Sequence, residues 1–114
     1  MSEFVDYLHE IFESFGAIQA RRMFGGHGIY RDGLMFGLVA DDELYLKADD
    51  QSRQRFTDLG LEAFEYMKKG QPMKLSYFQA PEEIYEDRDA AREWATPAFD
   101  AALRNRPRKK RDKS

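Results

Sequence analysis

The chain has 114 residues, enough for one domain with a real core, and is 42% apolar and 14% aromatic. It holds no cysteine, which excludes disulfides and thiolate chemistry, and no apolar run approaches the roughly 20 residues of a membrane span. The net charge of −3 is split unevenly: Arg104 to Ser114 carries seven basic residues and one acid, a net +6, which leaves −9 on Met1 to Leu103.

That split bears on partners. An acidic body is not expected to hold a phosphate backbone with its folded surface. The basic residues Arg104, Arg106, Arg108, Lys109, Lys110, Arg111 and Lys113 form a tail with almost no apolar content. From residue 105 it is expected to be disordered, with the domain covering residues 1–104. Such a tail makes at most a weak, non-specific contact with nucleic acid, and its plainer role is a solvated charge run. The N-terminal Met-Ser-Glu is acidic and at once helical in pattern, so it is not read as a signal peptide. A cytoplasmic chain without membrane contact is the expectation.

Ser2 can cap a first helix. Phe4, Leu8, Ile11, Phe12 and Phe15 follow at helical spacing, and Gly16 is placed to end it. Ala17 to Phe24 reads as the first strand. Its two arginines, Arg21 and Arg22, must point to opposite faces because successive strand side chains alternate. Gly25, Gly26, His27 and Gly28 come next. Their spacing matches no phosphate-binding loop, and a strand rather than a helix follows. They are read as a bend or bulge, with a ligand-approach loop as the alternative. His27 and His9 lack a second metal ligand at suitable spacing, so no metal site is expected.

Asp32-Gly33 lies between Ile29-Tyr30 and Leu34-Met35-Phe36, and predicts a tight hairpin. Asp41-Asp42 predicts a turn before a strand at Leu44 to Lys47. Asp49, Asp50 and Ser52 open a short helix, the acids suiting its positive end. Phe56, Leu59 and Leu61 supply its apolar side and Gly60 closes it. Strands are expected at Ala63 to Met67 and Met73 to Gln79, around a turn at Lys68 to Pro72. A last helix runs from the cap Asp87 to about Arg104. Its apolar face is Ala91, Trp94, Ala95, Ala98, Phe99, Ala102 and Leu103. Pro97 should kink or restart it, with Thr96 as a cap. The fold class expected is α+β: an antiparallel sheet of about five or six strands with helices on one face.

The motif Arg21-Arg22-Met23-Phe24-Gly25-Gly26-x-Gly28-Ile29-Tyr30, then Asp32 to Leu38 and Leu44 to Lys47, resembles the N-terminal domain of the TfoX/Sxy family. Pro72-Met73, Tyr77, Pro81 and Trp94 fit its second half. The resemblance covers residues 3 to 104, with no counterpart of the C-terminal helical domain of full-length members. It implies a two-layer α/β domain and a regulator of transformation competence, acting as a co-activator with the cyclic-AMP receptor protein. The leading expectation is therefore a non-enzymatic regulatory or protein-interaction domain. No cofactor and no catalytic residue follow from the resemblance, and the protein partner it implies belongs to the transcription machinery. The alternative is a small-ligand or anion module built on Gly25 to Gly28 with Arg21, Arg22 and His27. An enzyme is the weakest reading, since no nucleophile is paired with a base. Open sheet edges also suggest a homodimer.

Overall fold

The computed structural model describes residues 3–23 and 25–106. Helix α1 (Glu3–Ile11) leads into strands β1 (Gln19–Met23), β2 (Gly26–Arg31), β3 (Leu34–Ala40) and β4 (Glu43–Lys47). Helix α2 (Arg53–Asp58), strands β5 (Ala63–Lys68) and β6 (Gln71–Gln79), a 3-10 turn (Glu82–Tyr85) and helix α3 (Arg88–Arg104) complete the chain. The six strands form one antiparallel sheet in the order β1-β2-β3-β4-β6-β5. This is the α+β architecture read from the sequence.

Tight turns set the register. Arg31 pairs with Leu34, and the two residues between them, Asp32 and Gly33, have φ of 52° and 80°. Two residues in the left-handed region give the loop the twist that antiparallel strands need. The same device recurs at Asp41-Asp42, with φ of 53° and 57°, and at Lys69-Gly70, with φ of 53° and 80°. A one-residue slip would turn every buried side chain outward, so these turns also fix the core.

The helices pack on one face of that sheet. Ala20, Ile29, Gly37, Leu46 and Phe78 form a cross-strand row pointing at them. Phe12, Phe15, Phe36 and Phe99 interlock with ring centroids 5.1 to 6.4 Å apart. On the other flank Phe56 stacks on Phe78 at 5.3 Å and meets Trp94 at 5.2 Å. The Trp94 indole N–H donates to Glu83 Oε2 at 2.8 Å, so the buried ring keeps its polar atom satisfied. Trp94 and Phe99 thus serve opposite flanks of α3 rather than one shared face.

Several boundaries differ from the expectation. Helix α1 stops at Ile11, and the turn through Phe15 keeps Phe12 and Phe15 buried while bringing Ile18 to the sheet. Pro97 does not restart α3, which is continuous. Ala95 and Ala98 are buried on either side of Pro97, and that packing holds the helix through the missing N–H. Thr96 caps nothing; its hydroxyl donates to the Arg92 carbonyl at 2.8 Å. Leu59 is 59% exposed instead of packed, because α2 is under two turns long and only Phe56 reaches the core. Among the described residues no helix is long and apolar enough to cross a membrane.

Candidate functional site

The glycine run is not a bend. Gly25 alone of the four glycine-run residues lies in the β1–β2 turn, at φ 75°, while Gly26, His27 and Gly28 are strand residues of β2. Gly26 is required by a close approach of backbones: a Cβ there would lie 1.9 Å from the Val39 carbonyl oxygen. At Gly28 a Cβ would meet Met23 Sδ and Tyr30 Cε1 at 3.0 Å and Met35 Sδ at 3.1 Å. The small residue lets those three side chains close over the strand.

The arginines separate as alternation demands. Arg21 pairs with Gly28 and its guanidinium lies 4.8 Å above the Tyr30 ring, on the sheet face away from the helices. Arg22 pairs with His27 and shares the helix-side face. A hollow of about 290 Å³ at the sheet corner is lined by Arg22, Met23, Gly25, Gly26 and His27. The hollow therefore gathers Arg22, Gly25, Gly26 and His27, while Arg21 and Gly28 are not among its lining residues. Among the described residues no group of three His, Cys, Asp or Glu side chains is placed to hold a metal ion.

The face away from the helices is lined by aromatic and long apolar side chains. One row runs across it as Arg21, Gly28, Leu38, Tyr45 and Gln79. Tyr45 meets the Phe64 ring at 5.0 Å, and Phe64 stacks on Tyr66 at 6.3 Å. Tyr77 donates its hydroxyl to the Met35 carbonyl at 3.3 Å. Burial, with a smaller contribution from nearby Tyr30, pushes that hydroxyl's pKa up to about 12. Lys47 lies 5.2 Å from the Tyr77 ring and donates to Ser76 Oγ at 2.7 Å. Burial pulls its ammonium below the usual lysine range, an effect partly offset by Asp49. The sheet is thus two-sided, with a dry aliphatic and aromatic core beneath it and a tyrosine-rich layer above.

A third cluster was not legible as such in the sequence. Asp49 was read as a helix-dipole partner, but it ties the end of α3 to the loop after β4. Arg104 donates to it through Nε at 2.7 Å and Nη2 at 2.8 Å, and Asn105 Nδ2 adds a bond at 2.9 Å. Asp49 also accepts from the Gln51 amide at 3.1 Å and the Ser52 hydroxyl at 3.2 Å. Arg104 above all holds this carboxyl well below the usual carboxylate range. Arg104 therefore closes the fold and is not a member of a loose basic tail. Asn105, expected to begin that tail, caps α3 and donates to the Ala101 carbonyl at 2.8 Å. Of the other tail residues Arg106 is exposed, while Arg108, Lys109, Lys110, Arg111 and Lys113 lie outside the described residues.

The profile of the TfoX N-terminal domain matches residues 10–102, which spans the sheet, only the last two residues of α1, and all but the last two of α3. The chain belongs to the TfoX N-terminal domain family. It is 32% identical over 91 residues to the DNA transformation protein TfoX1 of Aliivibrio fischeri, covering 80% of this chain and 43% of that protein. It is 29% identical over 97 residues to Protein Sxy of Escherichia coli, covering 85% of this chain and 46% of that protein. The chain thus spans less than half the length of either relative. In this TfoX N-terminal domain the Arg-Met-Phe-Gly-Gly-x-Gly motif of residues 22–28 is the β1–β2 hairpin. Gly26 answers to the Val39 backbone and Gly28 to the side chains of Met23, Tyr30 and Met35.

Proposed function

We propose that this chain is a regulatory domain of the TfoX/Sxy type that works by contact with other proteins rather than by catalysis. The observation that carries the reading is the family match over residues 10–102. The site geometry supports it: Arg21 and Arg22 are on opposite faces and do not converge on one ligand, and the face away from the helices presents partly exposed tyrosines. Aromatic surfaces suit protein partners, since tyrosine supplies contact area at small entropic cost. The partner is a component of the transcription machinery at competence promoters. The test is transcript measurement from those promoters in a naturally transformable host deleted for its own TfoX. Expression of the chain should raise or lower those transcripts. Unchanged transcripts, with the folded chain present at normal abundance, would refute the regulatory role.

A second reading is supported by the hollow at the β1–β2 corner. Arg22 and His27 flank the Gly25 turn there, and the chemistry would suit a small anion. Titration with inorganic phosphate, followed by NMR at the amides of residues 22–28, checks it. Saturable shifts confined to those residues would support the site, and shifts spread evenly over all basic residues would dismiss it.

A further inference from the structure

We infer that the tyrosine-rich sheet face is the interface of a symmetric dimer, seated against the same face of a second copy. This inference stands apart from the regulatory reading, because a dimer would form whether or not the chain acts on transcription. It also differs from pairing at a sheet edge, which is where the sequence alone placed self-association.

The row Arg21, Gly28, Leu38, Tyr45, Gln79 crosses the face from β1 to β6. Glu62 closes it at the far edge, its carbonyl accepting from the Gln79 amide at 2.9 Å. The row is therefore basic at one end, at Arg21, and acidic at the other, at Glu62. Burial raises the pKa of the Tyr45 hydroxyl, and the charges of Glu43, Asp41 and Glu62 raise it further, which marks that end of the face as electronegative.

A two-fold axis lying in the face, parallel to the strands and between β3 and β4, exchanges the two edges. It sets Arg21 of each copy opposite Glu62 of the other. It also brings the half-buried Tyr45 of each copy beside the axis, where it flanks the fully buried Leu38, and Tyr30 against Tyr77. The row is self-complementary in charge and places the Tyr45 ring next to the axis, as suits an isologous interface. Packed sheets cross at roughly 30°, so the rows stay in reach across the face.

The area is also sufficient. Six strands about 4.8 Å apart, rising roughly 3.3 Å per residue, give a face of about 500 Å². Two such faces bury about 1,000 Å², the lower bound of specific interfaces. A reversible dimer that separates at micromolar concentration fits that size.

Charge reversal tests the pairing, read by sedimentation velocity across a concentration series at low salt. Arg21 and Glu62 are both exposed, so neither reversal should unfold the domain; thermal melts of each variant check this. R21E and E62R should each raise the dissociation constant about tenfold or more, since the symmetry repeats each pair twice. The double variant R21E/E62R should recover most of that loss, because the exchanged charges would again meet with opposite sign across the axis. Losses that only accumulate in the double variant would overturn the proposal. So would a wild-type chain that stays monomeric at high micromolar concentration, a dimer indifferent to both reversals, or one that responds to R21E alone, as pairing of two β1 edges would.

Discussion

Gly26 and Gly28 sit two residues apart on β2, yet they answer to different neighbours. The space beside Gly26 is occupied by a backbone carbonyl, that of Val39, which cannot move without breaking the β2–β3 ladder. The space beside Gly28 is closed by two methionine sulfurs and a tyrosine edge. Methionine is unbranched and can re-pack. Gly26→Ala should therefore destabilise by about 1–3 kcal/mol or more, and Gly28→Ala by clearly less. Chemical denaturation of the two variants checks the order, and equal losses would mean that the Val39 contact relaxes as easily as the methionines. This distinction was not legible in the sequence. Local reading found the glycines and assigned them to a bend, whereas their cause lies across the sheet in β3. The Asp32-Gly33 turn was legible because its cause is local: two residues at positive φ between strands that must reverse. Alternation likewise put Arg21 and Arg22 on opposite faces from the sequence alone, but not the tyrosine that receives Arg21.

Helix α3 depends on contacts far away in sequence. Its N-terminus is capped by Asp87, which accepts from the Asp89 amide at 2.9 Å. Its middle is anchored by Trp94 between Phe56, Glu83 and Arg55, whose guanidinium carbon lies 4.0 Å from the ring centre. Trp94→Ala should cost about 3–5 kcal/mol, and the native emission of this sole tryptophan should be that of a buried indole. A water-exposed emission maximum would contradict the placement. The C-terminus of α3 is held by Asp49. A carboxyl whose folded pKa is depressed adds stability above its unfolded value of 3.8 and loses it as pH falls through the folded value. Asp49→Asn should thus lower the melting temperature at pH 5 to 7 by a constant margin. The gap between variant and parent should shrink below about pH 4, where the unfolded chain takes up the proton while the folded Asp49 still resists it. A gap that is the same at every pH, or that widens in acid, would show that the carboxylate charge is not what holds the helix. The sequence showed α3 and its apolar face through helical spacing. Its partner at residue 49 stayed hidden because 55 residues separate Asp49 from Arg104.

For the whole molecule, the end of the folded body decides how the basic segment is to be assayed. Arg104 and Asn105 belong to the body through Asp49, so a cut after Leu103 removes structure as well as charge. A cut after Arg106 keeps the clasp and removes only Pro107 to Ser114, which hold no large apolar residue. The chain ending at Arg106 should melt with the full chain, and the chain ending at Leu103 should melt lower. The same two proteins separate tail from body in nucleic-acid binding. With Arg104 held by Asp49, six cations remain to meet phosphate: Arg106, Arg108, Lys109, Lys110, Arg111 and Lys113. Contacts of that kind release counterions, so retardation of duplex DNA by the full chain should fall steeply as salt rises and should not depend on base sequence. The chain ending at Arg106 keeps one of the six cations on an acidic body, and it should lose retardation while keeping its melting temperature. Retardation that survives this cut, or that tolerates salt, would place the DNA contact on the sheet or helices. The acidic body would then be carrying a basic surface that its net charge conceals.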